Sequence, residues 1–412
     1  MDYFWIDEER ELRKTYSDLL NDLRRKRYSY SYIYFDNPYE IILEIIHSLI
    51  QGRTVELLDS DFSTTEIANL GIEKSELKKY ESASVRLTSI SDLYASIEKG
   101  KLTWKIGIYT SGTTGRPKKV YHTFNSITRN IKIGDKFRGN VWAFAYNPTH
   151  FAGLQVLLQA LMNMNPMVYI FESKKDRIES LLKKYRVTNI SATPTFYKMI
   201  IPVLKNPVDS VRRVTFGGER FDNTILKMIK TSFPNAKIRN IYASTEAGSL
   251  FTAEGDVFVI PEKITKFVKI QPDGELLIHA SLLGQSNDFS LDNDWYHTGD
   301  IVEKVDERSF KFVSRKTEMI NVGGYKINPN EVEEVIKQID GIIDVQVTAR
   351  QNRLTGNILV AKIVSAPGIS KELLEKKILE HVSRTLQRWK IPRIFQFVDK
   401  VEITRTGKKV RQ

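Results

Sequence analysis

The strongest constraint on the fold is a repeated succession of short strand-like apolar runs and longer stretches of helical periodicity. "WKIGIYT" (104–110) precedes "TFNSITRNIKI" (123–133), "VYIFES" (168–173) precedes "RIESLLKKY" (177–185), and "RRVTFGGE" (212–219) precedes "NTILKMIKTSF" (223–233). Strands alternating with helices pair in parallel, because a parallel neighbour needs a crossover long enough to hold a helix. The expected class is α/β, with a large N-terminal domain of layered α/β subdomains. Between residues 255 and 313 the texture changes to short β runs separated by turns ("KFVKI", "GELLIHA", "SFKFVSR"), which predicts a small β subdomain. A boundary is expected near Arg315, followed by a small α+β C-terminal domain. Asn328, Pro329 and Glu331 form a helix start with a polar cap, proline at the first helical position and an acid three residues after the cap. Val332, Val335, Ile336 and Ile339 then recur at helical spacing, two strand-like runs follow, and "SKELLEKKILEHVSRTL" predicts a second helix.

Composition narrows the function classes. The chain has 412 residues, 41% of them hydrophobic, enough for more than one core. It has no cysteine, which excludes disulfide and thiolate chemistry, and its six histidines lack metal-ligand spacing, so no structural zinc site is expected. No apolar run reaches the ~18 residues of a membrane span. The acidic, aromatic start "MDYFWIDEERELRK" lacks the apolar region of a signal peptide, so a cytoplasmic protein is expected. The net charge is +12, but Lys and Arg lie in mixed-sign runs such as "KELLEKKILEH", and no nucleic-acid motif accompanies them. No nucleic-acid or membrane partner is expected; a phosphate-rich ligand or an acidic partner protein suits the charge.

The densest polar signal is "TSGTTGRPKK", Thr110 to Lys119, placed directly after a strand. Glycines let backbone approach an anion closely, and exposed N–H groups can cradle phosphate. Ser111, Thr113 and Thr114 add hydroxyls and Lys118 adds positive charge. The spacing is not that of a Walker A loop, which needs Gly-Lys followed by Ser or Thr. The run resembles the phosphate loop of the adenylate-forming (AMP-binding) superfamily, which comprises acyl- and aryl-CoA synthetases, adenylation domains and firefly luciferase. The usual pattern is Thr-Ser-Gly-Thr-Thr-Gly-x-Pro-Lys-Gly; here Lys119 stands where the last glycine normally sits.

Further motifs follow in the family's order. "NIYASTEAG" resembles Tyr-Gly-x-Thr-Glu, with Ala243 in place of the glycine. The resemblance implies that Tyr242 stacks on adenine, Thr245 binds the α-phosphate and Glu246 holds Mg²⁺. "FGGE" resembles the turn beside adenine, with Gly218 and Glu219. "DWYHTGD" resembles Trp-x-x-Thr-Gly-Asp, which assigns the ribose hydroxyls to Asp300. "FVSRKTEMINVGGYKINPNEVEEVI" resembles the hinge motif: Arg315 contacts ribose and phosphate, Thr317 occupies a pivot position usually held by Asp or Lys, and Gly323 and Gly324 border the pantetheine tunnel. "VEITRTGKKVRQ" resembles the C-terminal motif, whose lysine, Lys408, holds substrate carboxylate and ATP during adenylation. "YNPTHFAGLQVLLQALM" resembles the region lining the acyl pocket, with His150 as a catalytic gate near the reacting carboxylate and Phe151, Ser191, Phe216 and Ala243 as pocket walls. Together with the phosphate-loop residues Thr110, Ser111, Gly112, Thr113, Thr114, Gly115 and Lys118, these are the candidate site residues.

The resemblance runs from about residue 100 to the C-terminus; the preceding part is shorter than usual. It implies an adenylate-forming domain over 1–314, a hinge at 315–317 and a mobile lid over 318–412 that carries Lys408. It also implies the reaction. A carboxylic acid and MgATP give an acyl-adenylate and pyrophosphate. A domain rotation then withdraws Lys408, and the thiol of CoA attacks. No acid occurs between Ala143 and Gln155, which disfavours an α-amino acid and points to an aryl or acyl acid. Two alternatives stay open. One is loading of the acid onto the phosphopantetheine arm of an acyl carrier protein; the other is a nucleotide-binding pseudoenzyme.

Overall fold

Alternating strands and helices are laid out as parallel sheet in the computed structural model, which describes residues 2–60, 62, 64–110, 118–217, 223–322, 325–352, 356–386, 388–403 and 409. The chain forms two compact units. One comprises Met1–Lys269, Leu277–Tyr296 and Val305–Phe310; the other comprises Ile270–Leu276, His297–Lys304 and Lys311–Gln412.

In the larger unit, strands Lys237–Ser244, Arg213–Gly217, Asn189–Ala192, Trp142–Phe144, Met167–Tyr169 and Tyr3–Asp7 lie side by side, all parallel. Helices Phe151–Leu161, Lys175–Lys184, Pro194–Ile200 and Asn223–Ser232 form the crossovers between them. Period-2 alternation sends neighbouring side chains to opposite faces. Trp5, Phe144 and Tyr169 face one core with Leu154 and Leu157, whereas Ile6, Ala143 and Val168 face another with Ile178, Leu182 and Ile190. The register agrees, since Ile6 pairs with Val168 and Val168 with Ala143.

A second sheet of this unit contains Tyr32–Ile33, Thr54–Leu57, Lys105–Thr110 and Lys118–Thr123. Here the structure departs from the sequence reading, which runs the strand at 104–110 into a helix over 123–133. Lys118–Thr123 is itself a strand, antiparallel to Lys105–Thr110, and the helix is only Phe124–Thr128. The pairing sets Ile106 opposite His122 and Ile108 opposite Val120, and all four side chains are buried. A half-polar segment that is weak as a strand by composition is thus fixed by its partner.

The smaller unit is α+β. Strand Ile342–Asn352 pairs antiparallel with Gly356–Ser365, which pairs parallel with Ile394–Phe397. Helix Pro329–Lys337 starts as the sequence predicts: the Asn328 side chain accepts the Asn330 N–H at 3.0 Å and proline follows the cap. Val332, Val335 and Ile336 pack with Leu374, Ile378 and Val382 of helix Lys371–Thr385 over the strands.

One polar cluster ties the N-terminal hairpin to the helix Lys175–Lys184. Glu8 accepts from Arg13 Nη2 at 2.7 Å, from Lys184 Nζ at 3.0 Å and from the Tyr185 hydroxyl. Burial alone would raise the Glu8 pKa, but the hydrogen bonds from Tyr185, Lys184 and Arg13 outweigh it and bring it down to about 2. A carboxylate lowered in the folded state contributes stability above its unfolded pKa, and that contribution disappears as pH falls from about 4.5 towards 2. Glu8→Gln should therefore cost about 1 kcal/mol at pH 7, in the range of partly exposed ion pairs. Urea midpoints of the two proteins should converge as pH falls to about 2.

Candidate active site

Parallel strands present their carboxyl ends along one edge of a sheet, and ligands of α/β proteins bind there. Four neighbouring strands of the main sheet bring the candidate pocket residues to that edge. His150 and Phe151 follow strand Trp142–Phe144, Ser191 lies at the end of Asn189–Ala192, Phe216 at the end of Arg213–Gly217, and Tyr242 and Ala243 near the end of Lys237–Ser244. Phe151 and Phe216 are buried, and Ser191 and Ala243 are half-buried. The Ser191 hydroxyl lies 3.4 Å from the Tyr146 hydroxyl.

His150 caps the backbone of helix Phe151–Leu161, and its Nε2 lies 3.1 Å from Asp59 Oδ2. Asn147 Nδ2 donates to the other Asp59 oxygen at 2.6 Å, and the His150 N–H donates to Asn147 O at 3.1 Å. Asp59 thus fixes both ends of the turn that presents the histidine. The sequence reading finds no acid between Ala143 and Gln155; the fold supplies one from 91 residues away. No local signal marks Asp59, because its role comes from the loop after strand Thr54–Leu57.

Tyr242 is almost fully buried in an aromatic cluster, with ring centroids 5.3 Å from Phe251, 6.0 Å from Phe258 and 6.2 Å from Phe310. Such pairs contribute about 0.5–1.5 kcal/mol each beyond burial and hold the ring in one orientation. The chain then turns through Thr245, Glu246 and Ala247 into the antiparallel strand Gly248–Ala253. Thr245 and Glu246 are half-buried, so the turn exposes part of a hydroxyl-bearing and of a carboxylate-bearing residue in succession. One carboxylate next to a hydroxyl is a donor set suited to Mg²⁺, which keeps most of its coordination for phosphate oxygens and water. Among the described residues no cluster of three or more His, Asp and Glu forms an all-protein metal cage. Gly248 has φ +72°, and a Cβ there would lie 2.9 Å from Phe151 Cζ, so only glycine lets the strand pass this ring.

Lys118 opens the strand that leaves the phosphate-loop region. The adjacent Lys119 does not point free. Its Nζ lies 3.1 Å from Glu56 Oε1, and Glu56 also accepts from the Tyr109 and Tyr121 hydroxyls. The register explains the cluster: Glu56, Gly107 and Tyr121 are cross-strand partners. A Cβ at Gly107 would lie 3.0 Å from Glu56 Cγ and from Tyr121 Cε1, so the missing side chain lets Glu56 reach across. Lys119 therefore balances a carboxylate, rather than simply adding charge beside phosphates as its position in the loop motif suggests.

In the smaller unit the structure brings together two candidates 15 residues apart in sequence. Arg315 Nε lies 2.9 Å from Asp300 Oδ1, and Asp300 is buried. The Thr-Gly-Asp turn is built from within: Thr298 Oγ1 donates to Leu276 O at 2.7 Å and accepts the Asp300 N–H at 3.0 Å, and the Gly299 N–H donates to Glu275 Oε1 at 3.0 Å. Ser111, Gly112, Thr113, Thr114, Gly115, Gly218, Glu219, Gly323, Gly324 and Lys408 lie outside the described residues, as do the side chains of Thr110 and Thr317. Next to Lys408, Lys409 is anchored in the smaller unit, its ammonium 3.1 Å from Glu333 Oε2 and 3.0 Å from Asp344 Oδ1.

The AMP-binding enzyme family model matches residues 104–270, and the AMP-binding enzyme C-terminal domain model matches residues 331–408. Bacitracin synthase 3 of Bacillus licheniformis is 24% identical over 347 residues, which are 73% of this chain but 5% of that protein. The 2-succinylbenzoate–CoA ligase of Listeria monocytogenes serotype 4b (strain F2365) is 25% identical over 405 residues, 88% of this chain and 84% of that enzyme. The o-succinylbenzoate CoA synthetase of Bacillus subtilis, solved with its acyl-adenylate intermediate, superposes with a TM-score of 0.73 at 19% identity, covering 100% of this chain and 94% of that one; the likeness is one of fold. Two matched family models in the order of the motifs, on the corresponding fold, establish that the chain belongs to the adenylate-forming (AMP-binding) superfamily.

Proposed function

We propose that the chain is an ATP-dependent acid–thiol ligase that activates an aryl or acyl carboxylic acid as its adenylate and transfers the acyl group to CoA. The convergence of His150, Phe151, Ser191, Phe216 and the Tyr242–Glu246 segment at the carboxyl ends of four parallel strands supports this most directly. In the first step a carboxylate oxygen bonds to the α-phosphorus of ATP, and the bond to pyrophosphate breaks. In the second the thiol sulfur bonds to the acyl carbon, AMP leaves with the bonding electron pair, and the thiol proton is released. Such reactions ask a protein mainly for positioning and charge stabilisation.

Each residue has a task in this scheme. Tyr242 supports adenine. Asp300 takes the ribose hydroxyls, and Arg315 contacts ribose and phosphate. Lys118 and the loop Thr110–Gly115 hold the departing pyrophosphate. Thr245 donates to the α-phosphate, and Glu246 would hold Mg²⁺, whose chemistry is to neutralise phosphate charge. His150, oriented by Asp59, faces the substrate carboxylate, while Phe151, Ser191, Phe216 and Ala243 line the acyl pocket. Lys408 closes the site for adenylation from a lid over 318–412, hinged at 315–317, and Gly323 and Gly324 let the thiol arm pass close to backbone. With Asp59 engaged by Asn147 and His150, no free carboxylate is offered to an α-ammonium in this turn. ATP and CoA as substrates suit a cytoplasmic location; among the described residues no helix is long and apolar enough to cross a membrane.

A carrier protein is the second acceptor to consider, because a net charge of +12 complements an acidic acyl carrier. The test supplies MgATP and a panel of aromatic and aliphatic acids, with CoA or with a phosphopantetheinylated carrier. 2-Succinylbenzoate leads the panel, since the Listeria ligase named for it is 25% identical over most of the chain. Acyl-CoA should form with at least one acid. Thioester on the carrier alone would replace CoA as acceptor, and absence of ATP–pyrophosphate exchange with every acid would favour a nucleotide-binding pseudoenzyme.

A further inference from the structure

The turn that carries Thr245 and Glu246 is held by its backbone in a way the motif does not explain. A turn between two antiparallel strands leaves its carbonyls to water unless other groups take them. Here three successive carbonyls each meet a donor from a different segment. Thr245 O accepts from His122 Nε2 at 2.6 Å, Glu246 O accepts the Gly284 N–H at 2.8 Å, and Ala247 O accepts from Arg129 Nη1 at 3.3 Å. The second terminal nitrogen of Arg129, Nη2, donates to Leu282 O at 3.0 Å, so one guanidinium joins the turn to the segment that supplies Gly284. Asn130, next in sequence, donates to Ser249 O at 2.7 Å.

His122 is fully buried on the same strand face as Val120. Its Nδ1 lies 3.1 Å from Ser126 Oγ, and its ring sits 5.0 Å from that of Phe151 in the acyl pocket. A carbonyl can only accept, so Nε2 carries the proton. Burial pushes the imidazole down to about 4, with Arg129 and Glu246 the charged groups acting on it, so the ring is a neutral donor.

We propose that His122 and Arg129 are positioning residues that fix the Thr245–Glu246 turn in the geometry needed for adenylation. The role rests on the function proposed above, because it acts through the hydroxyl and carboxylate on that turn. Displacing reacting groups by about 1 Å can cost on the order of a hundredfold in rate. His122→Phe keeps the ring and loses the donor; His122→Gln restores an N–H at similar reach; Arg129→Gln removes one link of the guanidinium pair from a half-buried site.

The experiment measures ATP–pyrophosphate exchange by the full chain across a Mg²⁺ titration, together with thioester formation from a presynthesised acyl-adenylate. In His122→Phe, exchange should fall about ten- to a hundredfold, with a raised Mg²⁺ requirement, while the second half-reaction is spared. His122→Gln should recover most of the loss, and Arg129→Gln should raise the Mg²⁺ requirement in the same direction. Should His122→Phe fail to fold, Arg129→Gln decides the matter. Wild-type exchange with unchanged Mg²⁺ dependence in His122→Phe and Arg129→Gln, or in Arg129→Gln where His122→Phe does not fold, would overturn the positioning role and leave the ligase reading intact. Equal loss in both half-reactions, or no rescue by glutamine, would make the residues merely structural. A wild-type chain without exchange on any acid would overturn the ligase reading and this role together.

Discussion

Glu246→Gln should lower acid-dependent ATP–pyrophosphate exchange by about a hundred- to a thousandfold, the range seen when one preorganised charge-stabilising group is removed. The substitution keeps shape and removes one negative charge. The fold should tolerate it, because the side chain is half-buried and the Glu246 carbonyl stays bonded to the Gly284 N–H. The lost charge matters for a different reason: in the proposed role Glu246 is the carboxylate that would hold Mg²⁺, and an amide oxygen binds a hard cation far more weakly. Part of the activity should return at high Mg²⁺, while the melting temperature stays close to that of the wild type. Exchange at the wild-type rate would remove Glu246 from the metal site.

Lys408→Ala is expected to abolish adenylation and to spare thioester formation from a pre-made adenylate. In the role proposed for it, Lys408 would meet the α-phosphate and the substrate carboxylate and stabilise charge that develops only in the first step, and such a loss is again on the order of a hundred- to a thousandfold. The neighbouring Lys409 makes the comparison clean. Its ammonium is held by Glu333 and Asp344, so Lys409 itself should keep its place when Lys408 is truncated. Burial holds the Lys409 pKa below its ordinary value against the pull of Glu333 and Asp344. Measuring both half-reactions separately decides the role: loss of both would show that Lys408 supports the fold or CoA binding rather than adenylation.

The fold class was legible because it rests on local patterning. Strand-like and helical runs alternate over 168–233, and the structure turns them into parallel strands joined by helices. The cap at Asn328 and Pro329 was legible for the same reason, since a helix start is decided within one turn of chain. The strand Lys118–Thr123 was not. Its sequence is half polar, and it becomes a strand because Lys105–Thr110 offers an unpaired edge whose Ile106 and Ile108 match His122 and Val120. His122 did carry a faint signal, a polar residue two places from Val120 on the buried face, but its acceptor lies 123 residues further along.

The sequence by itself determined which chemical groups the chain carries and in what order: the Gly/Thr run after a strand, Tyr242 with Thr245 and Glu246, Asp300, Arg315 and the terminal Gly407–Lys408. Those signals survive because each depends on a few consecutive residues. Only the tertiary structure decided that Asp59 meets His150, that Glu56 receives Lys119 across Gly107, and that His122 and Arg129 grip the turn bearing Thr245 and Glu246. The physical reason is that such pairs are set by sheet register and by packing between layers. One step of register would send Glu56, Lys119 and His122 to the opposite face of their sheet, and no local pattern in the sequence records which register wins.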